Sequence, residues 1–296
     1  MWPLDSTKPV AEYDASDEID ELYHDIRQTL RVTGVNLIVR ALAGYHNALP
    51  TIWQALSPVV STRAFEQAAD RVRARAVEST AVMERLGVPD SVRLGPSQSY
   101  QIQKALALYH YINPKLLVMI SALRSVIEEE HTSPSGEQGH ALSVDPLPRG
   151  EPNEMYPMEM VSDKPDEEQI AMVFEGIIER YSLSSINSDY RTLALWPEYL
   201  AAAWGRLQPL SESPAYRCTV DVLQEEARAQ ALSLPVVVGL SPTEFEERIS
   251  DAAAVKEKIA DFERVLPPLI LNIAMLSLDW QPAEALRQSP FAIGAS

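Results

Sequence analysis

The chain has 296 residues, 46% of them hydrophobic, which is enough to bury a sizeable core in one large or two ordinary domains. Its formal net charge is −17, from 42 acidic and 25 basic residues, and such a field repels nucleic acid and anionic membrane surfaces. The single cysteine, Cys218, excludes an internal disulfide and a paired-thiol site, and we expect it to be buried and inert.

Apolar residues recur at helical spacing along most of the chain, which predicts an all-α protein. The first run is Ile19, Leu22, Ile26 and Leu30. Residues 131–165 are rich in Ser, Pro, Gly, Glu and Asp, and this composition predicts a long linker. Helical spacing then resumes with Ile170, Val173, Ile177 and Tyr181.

The segments on either side of the linker resemble each other, which indicates an internal repeat. Residues 17–72 align without gaps on residues 168–223, and twelve pairs are identical, including Asn36/Asn187, Arg40/Arg191 and Trp53/Trp204. A second block pairs Ala107 with Ala260 and Pro114 with Pro267. The sequence therefore predicts a first helical repeat over 15–130 and a second over 166–285, each of about six helices.

Two such copies are expected to pack about a pseudo-two-fold axis, with the active site in a pocket between the repeats. Positions that match in both copies, such as Arg40 and Arg191, are best explained by the shared scaffold. Function is expected where one copy departs from the other.

Two departures have the chemical character of a reactive site. Asp189 in the second copy aligns with Ile38, and Asn113 in the first copy aligns with Leu266. Because the aligned residue is apolar in both cases, each polar side chain is expected to face the interior. Burial raises the pKa of a carboxyl group, which makes Asp189 a candidate general base.

Asp189 follows Asn187 and Ser188, two residue types that cap helices, so it is expected in the first turn of a helix beside free backbone amides. Taken alone, an Asp at such a position is more often a cap residue, and an Asn before a Pro is more often a turn residue. The difference between the copies favours the catalytic interpretation of Asp189 and Asn113, while the interpretation as cap and turn residues stays open.

Three segments resemble a known family: residues 26–32, residues 113–115, and Ser188-Asp189 with the following Leu193 and Trp196. In this order they are similar to the group I 2-haloacid dehalogenases, and the resemblance covers nearly the whole chain. That family is all-helical with a pseudo-repeat, so the resemblance implies the same fold.

The resemblance also implies an activity: hydrolysis of short 2-haloalkanoic acids, both D and L, to 2-hydroxy acids without a cofactor. In that family an Asp activates a water molecule that attacks Cα directly, inverts the configuration and displaces halide. Asp189 matches the base, Asn113 the residue that helps to position the water, and Ser188 a residue that binds substrate. A small haloacid and water are the implied partners, and a cytoplasmic homodimer is in keeping with the family.

Three positions depart from the family's pattern, in which Trp, Phe and Tyr line the substrate pocket. Gly34, Leu37 and Phe262 stand at the matching positions, so they are the remaining candidates for substrate binding. Glycine in place of tryptophan enlarges the cavity, and a related hydrolase with a bulkier substrate is therefore an alternative.

A second alternative is a non-catalytic helical repeat protein that binds a small acid or a partner between the repeats. A passive scaffold has no reason to bury a carboxylate in one copy only, so the burial of Asp189 separates the two hypotheses. No metal site is predicted, because the five histidines lack zinc-ligand spacing. We expect no segment of membrane-spanning length and no leader, and hence a cytoplasmic protein.

Overall fold

A computed structural model describes residues 8–128, 145–236 and 238–293. Over these residues the chain forms α-helices and one 3-10 helix, Glu12–Asp14, with no strand, and the all-α prediction is confirmed. The helices are α1 (Asp17–Leu30), α2 (Leu37–Ala43), α3 (Ala48–Val60), α4 (Arg63–Ala81), α5 (Val88–Ser91), α6 (Pro96–Ile127), α7 (Glu168–Tyr181), α8 (Ser188–Leu193), α9 (Pro197–Ser211), α10 (Pro214–Leu232), α11 (Pro242–Arg248), α12 (Ala252–Leu278) and α13 (Ala283–Leu286). The first part of the predicted linker lies outside the described residues.

The chain divides into two compact units. Unit 1 consists of Met1–Ala69, Lys115–Asn153 and Ala227–Arg264, and unit 2 consists of Asp70–Pro114, Glu154–Glu226 and Val265–Ser296. Each unit therefore takes segments from both predicted repeats.

Helix α3 is the centre of unit 1, where it contacts α1, α2 and α11. Its apolar side chains are nearly all buried, and Trp53 Nε1 donates a hydrogen bond to Asp25 Oδ2 of α1 at 2.6 Å. Lys115 and Glu66 form a buried ion pair at 2.6 Å, and Lys115 Nζ also donates to the carbonyl of Leu30 at 3.1 Å. The carbonyl bond ties α6 to the end of α1, because Leu30 is the last residue of that helix.

Helix α9 has the corresponding place in unit 2, where it contacts α5, α7 and α8. Asp279 accepts hydrogen bonds from the backbone N–H groups of Gly87 and Val88, both at 2.9 Å, and so caps the start of α5. Gly87 has a φ of 61°, in the left-handed region that favours glycine. Helix α9 thus packs against the short helix α8, which carries Asp189.

One helix is longer and more apolar than the sequence analysis allowed. Helix α6 has the length and hydropathy of a membrane span, so the expectation that no segment reaches that length is wrong. The reason is that Asn113 and Pro114 interrupt the apolar run without ending the helix. The apolar stretch of α6 is 94% buried inside the structure, as is typical of a core helix.

The expectation that Cys218 is buried is also wrong, because its side chain is exposed on α10. Helix α10 is amphipathic, and its buried residues include Tyr216, Leu223 and Ala227. Cys218 lies two residues after Tyr216 and therefore on a different side of the helix.

Candidate active site

Helices α6 and α8 bring Asn113 and Asp189 together inside unit 2. Asn113 Nδ2 donates a hydrogen bond to Asp189 Oδ1 at 2.7 Å, and each residue is only 3% exposed. Both side chains are therefore buried, as the apolar residues aligned with them suggested. An amide and a carboxylate in direct contact can together hold a water molecule, and the carboxylate can accept its proton.

Burial is the main influence on the acidity of Asp189. It raises the pKa of this carboxyl from 3.8 to about 7, although the hydrogen bond from Asn113 and one from the backbone N–H of Asp189 itself lower it. Near neutral pH the group is therefore balanced between its two protonation states. That balance suits a general base, which must accept a proton and then release it.

Helix α8 begins where the sequence predicted. Asn187 is the N-cap with an extended backbone, φ −69° and ψ 151°, and Asp189 lies in the first turn. The side chain of Asn187 makes no capping hydrogen bond, which differs from the usual role of this residue type at an N-cap. Ser188, the predicted substrate-binding residue, is the first residue of the helix and is half-buried.

Tyr109 of α6 holds the start of α8. Its hydroxyl donates to the carbonyl of Ser188 at 3.2 Å and lies 2.6 Å from Thr192 Oγ1. Thr192 in turn donates to the carbonyl of Glu159 at 3.2 Å. The sequence analysis missed Tyr109, although its counterpart Phe262 lacks the hydroxyl and so marks another difference between the copies.

A buried polar network lies on another side of α8. Asn272 of α12 is fully buried, and its Nδ2 donates to the hydroxyls of Tyr190 and Tyr181, each at 2.8 Å. Its Oδ1 accepts from the hydroxyl of Tyr216 at 2.8 Å. Because Tyr190 is the next residue after Asp189, this network supports the helix turn that carries the base. Asn272 aligns with Met119, a contrast that the sequence analysis also missed.

The other three predicted residues belong to unit 1. Gly34 is exposed in the segment between α1 and α2, and a Cβ built there meets nothing within 4 Å. Leu37 is the first residue of α2, and Phe262 lies in α12; both are half-buried. Their assignment to substrate binding stays a prediction.

The described residues contain no group of three or more His, Cys, Asp or Glu side chains that could hold a metal ion. His110, which the sequence analysis left without a role, is buried in unit 2, and its Nε2 lies 2.8 Å from the carbonyl of Leu286. Burial, with the nearby charge of Arg73, lowers the pKa of His110 to about 3. The ring is therefore neutral at physiological pH, and its Nε2–H donates to the carbonyl.

Comparison with known proteins gives one family. The sequence model of a family described as halocarboxylic acid dehydrogenase DehI matches residues 33–175. An (R)-2-haloacid dehalogenase of Pseudomonas putida is 30% identical over 284 residues, which cover 90% of each chain. A configuration-inverting 2-haloacid dehalogenase of Pseudomonas sp. (strain 113) is 24% identical, over 96% of this chain and 94% of the relative.

Solved structures agree with the sequence relatives. A mutant D-2-haloacid dehalogenase crystal structure superposes with a TM-score of 0.83 at 27% identity, covering 92% of this chain and 95% of the other. A complex of such a mutant with D-2-CPA gives a TM-score of 0.82 over the same shares.

Proposed function

The chain belongs to the DehI family of 2-haloacid dehalogenases and is a hydrolase of carbon–halide bonds that inverts configuration; from this premise we propose that Asp189 is its general base. A water molecule held by Asp189 and Asn113 attacks Cα of a short 2-haloalkanoic acid. The new C–O bond forms as the carbon–halogen bond breaks, the halide leaves with the bonding electrons, and Asp189 takes the water proton. The product is a 2-hydroxy acid.

The contact between Asn113 and Asp189 carries this proposal. The amide Nδ2 lies 2.7 Å from a carboxylate oxygen, so one of its N–H bonds orients the carboxylate, while the amide Oδ1 is an acceptor suited to a water O–H. A pKa near 7 leaves a large fraction of Asp189 ionised at neutral pH. This chemistry needs no cofactor, since one base and one orienting group activate the water.

We also propose that both D and L substrates react. A water molecule is small, and it needs to reach only the face of Cα opposite the halogen, whichever enantiomer is bound. Support for the D enantiomer comes from relatives named (R)-2-haloacid dehalogenase and from a similar structure in complex with D-2-CPA. A bulkier substrate is the second candidate, prompted by Gly34, which stands where the resembled family has a tryptophan.

The two tandem repeats are likewise a proposal, and the helix limits support it. Helix α7 begins and ends 151 residues after α1, and α10 does so after α4. Arg31 and Ser182, also 151 residues apart, both adopt the left-handed conformation after these helices. The N–H groups of Val10 and Val161 bond to the carbonyls of Arg40 and Arg191, at 2.9 and 3.1 Å. Pseudo-two-fold packing and a cytoplasmic homodimer stay predictions.

Single-turnover hydrolysis in H₂¹⁸O tests the mechanism. With enzyme in excess over D- or L-2-chloropropionate, direct attack by water places ¹⁸O in the first product formed. Attack by the Asp189 carboxylate instead would place unlabelled oxygen in that product, and this outcome would overturn the role of base. Asp189→Asn is expected to lower kcat by about 10²- to 10⁴-fold for both enantiomers.

A further inference from the structure

Pro114 leaves a gap in the hydrogen bonding of α6 next to the candidate site. Proline has no backbone N–H, so it cannot donate to the carbonyl of His110 four residues earlier. The residue before this gap is Asn113, whose side chain contacts Asp189. The direction of the Asn113 side chain therefore depends on what holds the backbone at the proline.

Arg73 of α4 fills the gap. Its Nε donates to the carbonyl of His110 at 2.9 Å, and its Nη2 donates to the carbonyl of Tyr111 at 3.2 Å. Nη1 forms an ion pair with Asp70, and the guanidinium lies 5.8 Å from the centroid of the Tyr111 ring. Arg73 is 0% exposed, so one guanidinium with all three nitrogens engaged braces the backbone just before Asn113 and Pro114.

Arg73 occurs only in the copy that carries the orienting amide. At the matching position of the second copy the residue is Gln224, while Pro267 is retained and Leu266 replaces Asn113. A buried arginine is costly unless its charge is paired and its donors are satisfied. A proline in the helix does not by itself require an arginine, since the second copy has glutamine at this position, and the arginine occurs in the copy that carries Asn113.

We propose that Arg73 is a positioning residue for the dehalogenation: it takes the place of the helix hydrogen bond lost at Pro114 and so keeps Asn113 aimed at Asp189. This inference rests on the proposed function, in which Asn113 orients the base and the water. Arg73 itself contacts neither the Asp189 carboxylate nor the water. Without Arg73 the carbonyl of His110 loses the donor that replaces the missing N–H of Pro114, the backbone at the proline relaxes, and the contact between Asn113 and Asp189 lengthens.

Arg73→Gln, Pro114→Ala and the double variant test the inference. Arg73→Gln installs the residue of the second copy and is expected to lower kcat by about 10- to 100-fold with little change in KM, as loss of orientation does. Pro114→Ala supplies an N–H that can donate to the carbonyl of His110. In the double variant this donor replaces Arg73, so much of the lost kcat is expected to return. Arg75→Gln, which removes an exposed charge from the same helix, is the matched control.

A second measurement needs no substrate and so separates this inference from the proposed function. The pKa of Asp189 is read from its ¹³C carboxyl signal, which Asp189→Asn assigns. It is expected to rise in Arg73→Gln, because the hydrogen bond from Asn113 lowers it, and to return in the double variant. Arg73→Lys, which keeps the charge but cannot span both carbonyls, is expected to behave like Arg73→Gln and serves if the glutamine variant does not fold.

An unchanged kcat and an unchanged Asp189 pKa in either folded Arg73 variant would overturn the inference. So would a loss of activity that Pro114→Ala does not reverse at all, since Arg73 would then act through some contact other than the proline gap. Full activity of Asp189→Asn would instead overturn the proposed function, while the carboxyl titration would still decide the role of Arg73.

Discussion

Asp189 and Asn113 show how one change of residue type places a polar side chain at a core position. Their aligned counterparts, Ile38 and Leu266, are both buried side chains. A carboxylate at such a position loses its hydration, and this loss raises its pKa towards neutrality. Burial thus gives Asp189 a pKa of about 7, which suits the proposed role of general base.

Replacement of Asn113 tests its effect on this base. Asn113→Leu, which installs the residue of the second copy, removes a hydrogen bond that lowers the pKa of Asp189. The acid limb of kcat/KM is therefore expected to move from about pH 7 to a higher pH, with kcat lowered by about 10-fold or more. Gln101→Leu, at an exposed amide on α6, is the control, and an unmoved acid limb would contradict the role of Asn113.

The raised pKa of Asp189 also predicts how stability depends on pH. Between pH 3.8 and about 7 the folded protein keeps a proton that the unfolded chain has lost, so the free energy of unfolding falls as pH rises through this window. Asp189→Asn lacks this group and is expected to be more stable than the wild type at pH 8, by up to about 4 kcal/mol, with no difference below the window.

Urea unfolding at pH 4 and pH 8 measures this difference. Asp221→Asn, at an exposed carboxyl on α10, is the matched control and is expected to leave the difference between the two pH values unchanged. Equal stability of Asp189→Asn and the wild type at pH 8 would show that the carboxyl is hydrated and contradict its burial.

Gly34 allows a test of substrate size. Its φ is not in the left-handed region and a Cβ meets nothing within 4 Å, so Gly34→Trp is expected to fold. If Gly34 lines the substrate pocket, the indole lowers kcat/KM for longer 2-haloacids far more than for 2-chloropropionate. Gly34→Ala is the control, and a uniform effect on all chain lengths would contradict the assignment.

At the scale of elements, α8 depends on its neighbours for its existence. A helix of six residues is too short to be stable on its own, so packing and side-chain bonds must hold it. Tyr109 bonds to its first residue, and Asn272 bonds to Tyr190 in its first turn. Asp189 is therefore positioned by three helices, α8 itself and its partners α6 and α12.

Asn272→Met tests the network behind α8 by installing the residue of the first copy. It leaves buried tyrosine hydroxyls without their partner, which is expected to cost about 2–4 kcal/mol of unfolding free energy and to lower kcat. Thermal unfolding and steady-state kinetics measure the two effects. Met119→Leu, at the aligned position, is the control, because a volume-conserving apolar exchange costs under about 1.5 kcal/mol.

At the scale of the whole molecule, the charge of −17 opposes the approach of a haloacid anion. Salt screens this repulsion over roughly 10 Å at 0.1 M ionic strength. We therefore expect kcat/KM to rise from about 0.01 M to about 0.15 M ionic strength, while kcat at saturating substrate stays constant. Sodium sulfate is the suitable salt, since chloride is a product, and a fall in kcat/KM would contradict repulsion.

Helical periodicity determined the all-α class, because the spacing of apolar residues is a local property of the chain. Comparison of the copies pointed to Asp189 and Asn113, since an apolar counterpart marks a buried position. The network residues are different: the bonds of Arg73 to His110, Tyr109 to Ser188 and Asn272 to Tyr190 span 37, 79 and 82 residues. No local pattern in the sequence indicates which residues form such pairs.

The sequence by itself therefore determined the all-α class and the family, and it pointed to Asp189 and Asn113 as candidate catalytic residues. Only the tertiary structure decided that Asn113 lies 2.7 Å from Asp189 and that Arg73 braces the backbone at Pro114. The physical reason is that a pKa and a hydrogen bond depend on the surroundings in space, which chain folding supplies from distant segments.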